Sequence, residues 1–259
     1  MTSKVVDRIE SKLPQITALF WVMKIAATTL GETAGDLLSM TLNVGYALSS
    51  AILLSTFFLS VAAQLASKRY HPALYWTVIL TTSTAGTTMS DYMDRTLGLG
   101  YAKGAALLVT ILLAVFVAWR LTTGSLSVDR VRSRKAETFY WIAILFSNTL
   151  GTALGDFLSD SSGLGFVGGA VLIGSLLTLV LAVTLLTNAP RVLLFWIAFV
   201  LTRPFGATVG DVLTKSTDKG GLALGTVGSS VLLASTLVAL VVWSMTNERR
   251  TRLTHNPTR

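Results

Sequence analysis

Cysteine is absent from all 259 residues. Disulfides, thiolate metal sites, iron–sulfur clusters and cysteine nucleophiles are thereby excluded. Histidine is nearly as scarce, with only His71 and His255, and neither falls in a long apolar run. A haem or zinc buried in such a run has no imidazole to hold it, and acid–base or nucleophilic catalysis loses its commonest agents. Charge is thin as well: 13% of residues are charged and 52% are hydrophobic. That balance belongs to an integral membrane protein rather than a soluble one. The opening MTSKVVDRIESKLPQI mixes charge signs and lacks a short apolar core ahead of a small-residue cleavage site. No cleavable signal peptide is expected, and the first span serves as the insertion signal.

Long apolar runs take up most of the chain. A spanning helix needs ~20 mostly apolar residues, and eight are read, at 15–40, 44–66, 73–93, 98–120, 137–159, 164–187, 191–213 and 222–245. The expected fold is all-α, a polytopic membrane protein with eight transmembrane helices. A net charge of +8 invites an anionic partner such as nucleic acid, but its distribution points elsewhere. With eight spans, fifteen of the 21 basic residues fall on the side holding both termini and the connections between repeats, including Arg130, Arg132, Arg134 and Lys135. The opposite side has Arg95, Lys103, Lys215 and Lys219, while Lys24 and Arg203 lie within spans. The positive-inside rule then places both termini in the cytoplasm, with the lipid bilayer and not nucleic acid as the partner.

One pattern is written four times. Trp21, Gly31 and Asp36 recur as Trp76, Gly86 and Asp91, as Trp141, Gly151 and Asp156, and as Trp196, Gly206 and Asp211, at unvarying intervals. Gly35, Gly155 and Gly210 directly precede the Asp in three copies, and Ser90 takes that place in the second. The tryptophans are spaced by 55, 65 and 55 residues. The longer interval contains the only extended polar stretch, so the chain divides into a first half, 1–120, a basic cytoplasmic linker, 121–136, and a second half, 137–259. Each repeat is expected to be a helical hairpin, with a Trp-to-Asp helix going out and a blander helix returning. Two spans per repeat make the four copies parallel. They should form a pseudo-fourfold or two-plus-two ring, odd helices at the centre and even helices facing lipid.

Four tandem two-span repeats, each marked by a tryptophan and a Gly-x-x-x-Gly-Asp run, resemble a bacterial membrane-protein family of unknown function. The resemblance covers the chain from Trp21 to Trp243. It implies an eight-span protein of the bacterial inner membrane and implies no activity, so chemistry must come from the residues.

At 100° per residue, positions 3, 7, 11 and 15 after each Trp form one helical ladder. The four ladders read Lys24, Thr28, Glu32, Asp36; Ile79, Ser83, Thr87, Asp91; Ile144, Asn148, Thr152, Asp156; and Phe199, Arg203, Ala207, Asp211. Glycines edge the same face, which is how small residues bring helices close. The tryptophans Trp21, Trp76, Trp141 and Trp196 are expected in an interfacial belt. Each Asp lies ~22 Å beyond its Trp, in the outer part of a ~30 Å hydrocarbon layer, where a carboxylate is costly.

Two accounts of the aspartates compete. In one, each ends its helix or binds a neighbour, and the protein is a non-transporting scaffold or sensor subunit. In the other, Asp36, Asp91, Asp156 and Asp211 form a carboxylate ring, as in cation pathways. Glu32 is then an added ligand, and Thr28, Ser83, Thr87, Asn148 and Thr152 continue the path. All-oxygen ligation suits a divalent metal ion or a proton relay. Arg203 is expected to pair with Glu32 or Asp36, as a charge-balancing or gating group, and Lys24 is the second intramembrane cation. No resident cofactor is expected beyond a bound or transported divalent cation. An enzyme is not expected: Asp91/Asp94 and Asp156/Asp160 resemble Mg²⁺-diphosphate pairs, but Asp36 and Asp211 lack the second carboxylate. Self-association into a homo-oligomer stays open at this level.

Overall fold

The computed structural model describes residues 12–254, with side chains to residue 247; Lys4, Arg8, His255 and Arg259 lie outside the described residues. Eight helices follow one another: α1 (Ala18–Asp36), α2 (Tyr46–Ala66), α3 (Pro72–Asp91), α4 (Tyr101–Thr123), α5 (Arg134–Asp156), α6 (Gly165–Leu186), α7 (Arg191–Thr214) and α8 (Gly225–Thr254). The described residues contain no strand.

Local chemistry sets the boundaries. The Thr17 hydroxyl accepts from the Phe20 amide at the start of α1, and Ser133 accepts from Ala136 at the start of α5, each satisfying an orphan donor. Pro72 opens α3, where no amide is needed. The first three odd helices each continue past the repeated Asp into one π-helical turn, Leu37–Thr41, Tyr92–Thr96 and Phe157–Ser161. The fourth repeat carries an extra KSTDKG segment between Asp211 and Gly225, and its inner helix runs as α-helix to Thr214. Gly45, Gly100, Gly165 and Gly225 then turn the chain into the even helices with φ between 67° and 80°. A Cβ at any of these four has open space, so the backbone angle, not crowding, is what favours glycine there.

α1, α3, α5 and α7 form a closed ring in chain order, with α7 returning to α1. The even helices pack mainly on the inner helix of the next repeat rather than on that of their own. α2 rests on α3, α4 on α5, α6 on α7 and α8 on α1, so each outer helix braces the next inner one. The expected hairpin is thus a connection rather than a packing unit, and the repeats interlock.

Six helical segments are long and apolar enough to cross a membrane, and α1 and α3 are the two that fall short. The shortfall has a physical source. Lys24, Thr28, Glu32 and Asp36 in α1, and Ser83, Thr87 and Asp91 in α3, lower the mean hydropathy but are enclosed by neighbouring helices. The chain is a multi-pass membrane protein of tandem repeats.

Candidate functional site

Glycines build the ring. The position-10 glycine of each inner helix abuts the position-7 residue of the next: Gly31 meets Ser83, Gly86 meets Asn148, Gly151 meets Arg203 and Gly206 meets Thr28. One turn on, Gly35 meets Thr87, Gly155 meets Ala207 and Gly210 meets Glu32. Contacts that climb together in this way require parallel neighbours, and the last link joins the fourth repeat to the first. A Cβ at Gly86 would stand 2.9 Å from the Thr149 backbone nitrogen, which is the close helix approach that small residues permit.

Because the glycines flank the ladder, close approach turns all four ladders to the ring interior. All sixteen ladder residues are buried, and the four aspartates are no more than 4% exposed. At the Trp end the layer is Lys24, Ile79, Ile144 and Phe199, fully buried. Lys24 Nζ donates to Asn148 Oδ1 at 3.4 Å and sits 4.2 Å from the centre of the Phe199 ring. Asn148 Nδ2 donates in turn to Thr82.

Arg203 holds the centre. Its Nη2 donates to Glu32 Oε2 at 2.8 Å, to Thr87 Oγ1 at 2.5 Å and to Thr152 Oγ1 at 2.6 Å. These three acceptors occupy position 11 of the first three repeats. Arg203 reaches them from position 7 of the fourth, whose own position 11 is the small Ala207. One guanidinium therefore ties all four inner helices. Its Nε and Nη1 are buried with no hydrogen-bond partner.

The aspartate layer divides two plus two. Lys215 lies 3.2 Å from Asp211 and 3.6 Å from Asp36. Arg95 lies 2.9 Å from Asp91, 3.5 Å from Asp156 and 3.9 Å from Asp160. Burial pulls the Lys215 ammonium down, but Asp211 and Asp36 outweigh it and hold its pKa above the ordinary lysine range. One oxygen from each of Glu32, Asp36 and Asp211 lies within 4.8 Å of the other two, all three being buried, and Asp36 Oδ1 has no hydrogen-bond partner. Asp94 turns aside, accepting from Ser90 and pressing on Gly104, while Asp160 accepts from Tyr101.

The repeat tryptophans do not form the expected belt. Trp76, Trp141 and Trp196 are buried, and Trp21 is half-buried. Together with Phe20, Tyr75, Tyr140 and Trp119 they make an aromatic layer across the Trp end of the bundle. The Tyr75 and Tyr140 hydroxyls share a 2.6 Å hydrogen bond within it. Trp243, at 55% exposed, is the outward-facing tryptophan.

Arg95 and Lys215 were read from sequence only as charges on one side of the membrane. Their signal is the spacing: each follows a repeated Asp by four residues, one helical turn.

A family model described as Repeat of Unknown Function (DUF347) matches four times, at residues 19–70, 74–125, 139–189 and 194–250. No curated protein and no solved structure matches the chain.

Proposed function

Proceeding from a chain that belongs to the DUF347 repeat family, we propose an integral membrane transporter or channel for a small cation. The cation is a divalent metal ion or a proton, moving along the ladder between the repeats. One observation carries this reading: Glu32, Asp36 and Asp211 offer three buried carboxylate oxygens within 4.8 Å of one another. Gathering like charges away from water is unfavourable unless a cation joins them. Lys215 is shared by Asp36 and Asp211 and Arg203 faces Glu32, so two cations of the chain stand against three carboxylates.

In this account Asp36, Asp91, Asp156 and Asp211 form the outer ring, and Glu32 is the ligand beneath it. Thr28, Ser83, Thr87, Asn148 and Thr152 supply oxygens along the path. Arg203 is the gate, because its guanidinium lies among the position-11 residues and an incoming cation competes with it for Glu32. Lys24 and the aromatic layer close the other end. All eight helices cross the bilayer, α1 and α3 with their polar faces turned inward. The basic linker and both termini lie on the cytoplasmic side of a bacterial inner membrane, following the positive-inside rule.

A second reading keeps one specific support. Every ring aspartate already faces a cation of the chain, Arg95 or Lys215, as a non-transporting scaffold or sensor subunit requires. Calorimetric titration of purified protein with Mg²⁺, Ca²⁺ and Mn²⁺ tests the metal branch. Expected is binding that weakens at least tenfold in Asp36→Asn/Asp211→Asn while the protein still elutes as a folded species. A proton carrier gives no such heat but lets dye-loaded liposomes acidify. Neither signal, together with loss of folded protein in the variant, supports the scaffold.

A further inference from the structure

A cavity of about 620 Å³ opens on the flank of the bundle, away from the carboxylate ring. Its walls are Trp21 and Ile25 of α1, Leu177 and Leu181 of α6, and Phe195 and Ala198 of α7. The size falls within the ~300–1,000 Å³ of ordinary ligand sites. Its position follows from the bracing pattern. Besides its main partner, α2 also touches α5 and α8 also touches α3, each filling the groove towards the next inner helix. The equivalent groove beside α6 faces α1, and the cavity occupies it.

The inter-half linker, which has no counterpart within either half, runs past the mouth of this groove through Ser127, Val128 and Asp129. Trp196 Nε1 donates to the Leu126 carbonyl at 3.0 Å and pins the linker there. A second cavity of about 420 Å³ adjoins the first through the shared residues Ser127 and Val192, and it is lined by Arg120 and Arg130. Both arginines are exposed and make no ion pair among the described residues. Arg191 stands at the junction, donating to the Thr184 carbonyl at the end of α6. Among the described residues Asp129 is the one carboxylate at this mouth, against three guanidinium groups.

We propose that this composite groove is a binding site for an anionic phospholipid of the leaflet that meets the basic linker. The acyl chain lies in the apolar cavity between α1, α6 and α7, and the headgroup phosphate sits on Arg120 and Arg130. The occupant follows from charge and polarity together: a zwitterionic lipid brings its own ammonium among three guanidinium groups, and a free phosphate leaves the apolar walls uncovered. Basic pockets between helices at a membrane surface select anionic headgroups in this way, and guanidinium forks suit phosphate oxygens. The site needs the membrane but not the transport reading, so either can fail alone.

The test is native mass spectrometry of the full chain after exchange into dioleoyl-phosphatidylglycerol or dioleoyl-phosphatidylcholine. The wild type is expected to retain one phosphatidylglycerol through detergent washing and to release phosphatidylcholine. Arg120→Gln/Arg130→Gln should lower the retained fraction at least fivefold. Arg132→Gln/Arg134→Gln, which neutralises the same linker outside both cavities, should keep it. Ala198→Phe, filling the apolar part, should also lower retention. Equal retention of the two lipids, an unchanged adduct in Arg120→Gln/Arg130→Gln, or an equal loss in Arg132→Gln/Arg134→Gln overturns the proposal. The paired arginine replacements are all at exposed positions, so elution volume separates lost lipid from lost fold.

Discussion

Arg203 of the fourth repeat donates to Glu32 of the first at 2.8 Å, inside a ring that encloses both side chains. The pair breaks the fourfold symmetry of the motif, since the second and third repeats carry Ser83 and Asn148 where the fourth carries Arg203. The same nitrogen reaches Thr87 and Thr152, so one asymmetric residue locks a nearly symmetric ring.

Removing either charge alone strands the other in the interior. Glu32→Gln and Arg203→Met are each expected to destabilise the protein by about 3–5 kcal/mol, the usual cost of halving a buried pair. The double variant should be less damaged than the sum of the two, with a coupling of about 1 kcal/mol or more. Thermal unfolding of the four proteins in detergent checks this, and additive losses would mean that the pair is not coupled.

Gly86→Ala places a methyl group 2.9 Å from the Thr149 backbone nitrogen and 3.0 Å from the Asn148 carbonyl carbon. Backbone cannot swing aside as a flexible side chain can, so a loss of about 1–3 kcal/mol is expected. Gly228→Ala on α8 meets nothing within 4 Å and should leave the melting temperature unchanged or slightly raised. Equal effects at the two sites would contradict the ring packing.

The inner ring was legible because two signals coincide on α1, α3, α5 and α7. A polar ladder of period four and glycines on its edge both name the same face. The bracing of α2 on α3 was not legible, because a helix such as GYALSSAILLSTFFLSVAAQL carries no charge, and its Ser, Thr and Gln side chains do not say which inner helix they will meet. The tryptophans misled for a related reason. A ring near a membrane surface suits a belt and an aromatic plug equally, and the choice depends on neighbours such as Tyr75 and Tyr140, which come into place only on packing. That Arg203 pairs with Glu32 or Asp36 was readable from cost alone, since unpaired charges are not tolerated in hydrocarbon, and the packing of the ring selects Glu32.

Lys215 shares Asp36 and Asp211 as a tethered cation, and burial does not neutralise it. Lys215→Gln removes this competitor and should tighten divalent-cation binding about two- to fivefold, matching a partly exposed ion pair of ~0.5–1 kcal/mol. Lys219→Gln, on the 3₁₀ turn Thr217–Lys219 beyond α7, should leave affinity unchanged. Calorimetric titration distinguishes the two, and an unchanged affinity in Lys215→Gln would place the bound ion elsewhere.

Cation passage among the carboxylates is tested most directly by ion flux into proteoliposomes loaded with metal- and pH-sensitive dyes. Wild-type protein should admit a divalent ion or protons. Asp36→Asn/Asp211→Asn and Asp91→Asn/Asp156→Asn should each reduce that flux at least tenfold while remaining folded. Flux that persists in both folded variants, or wild-type liposomes as tight as protein-free ones to every cation tried, would contradict the account.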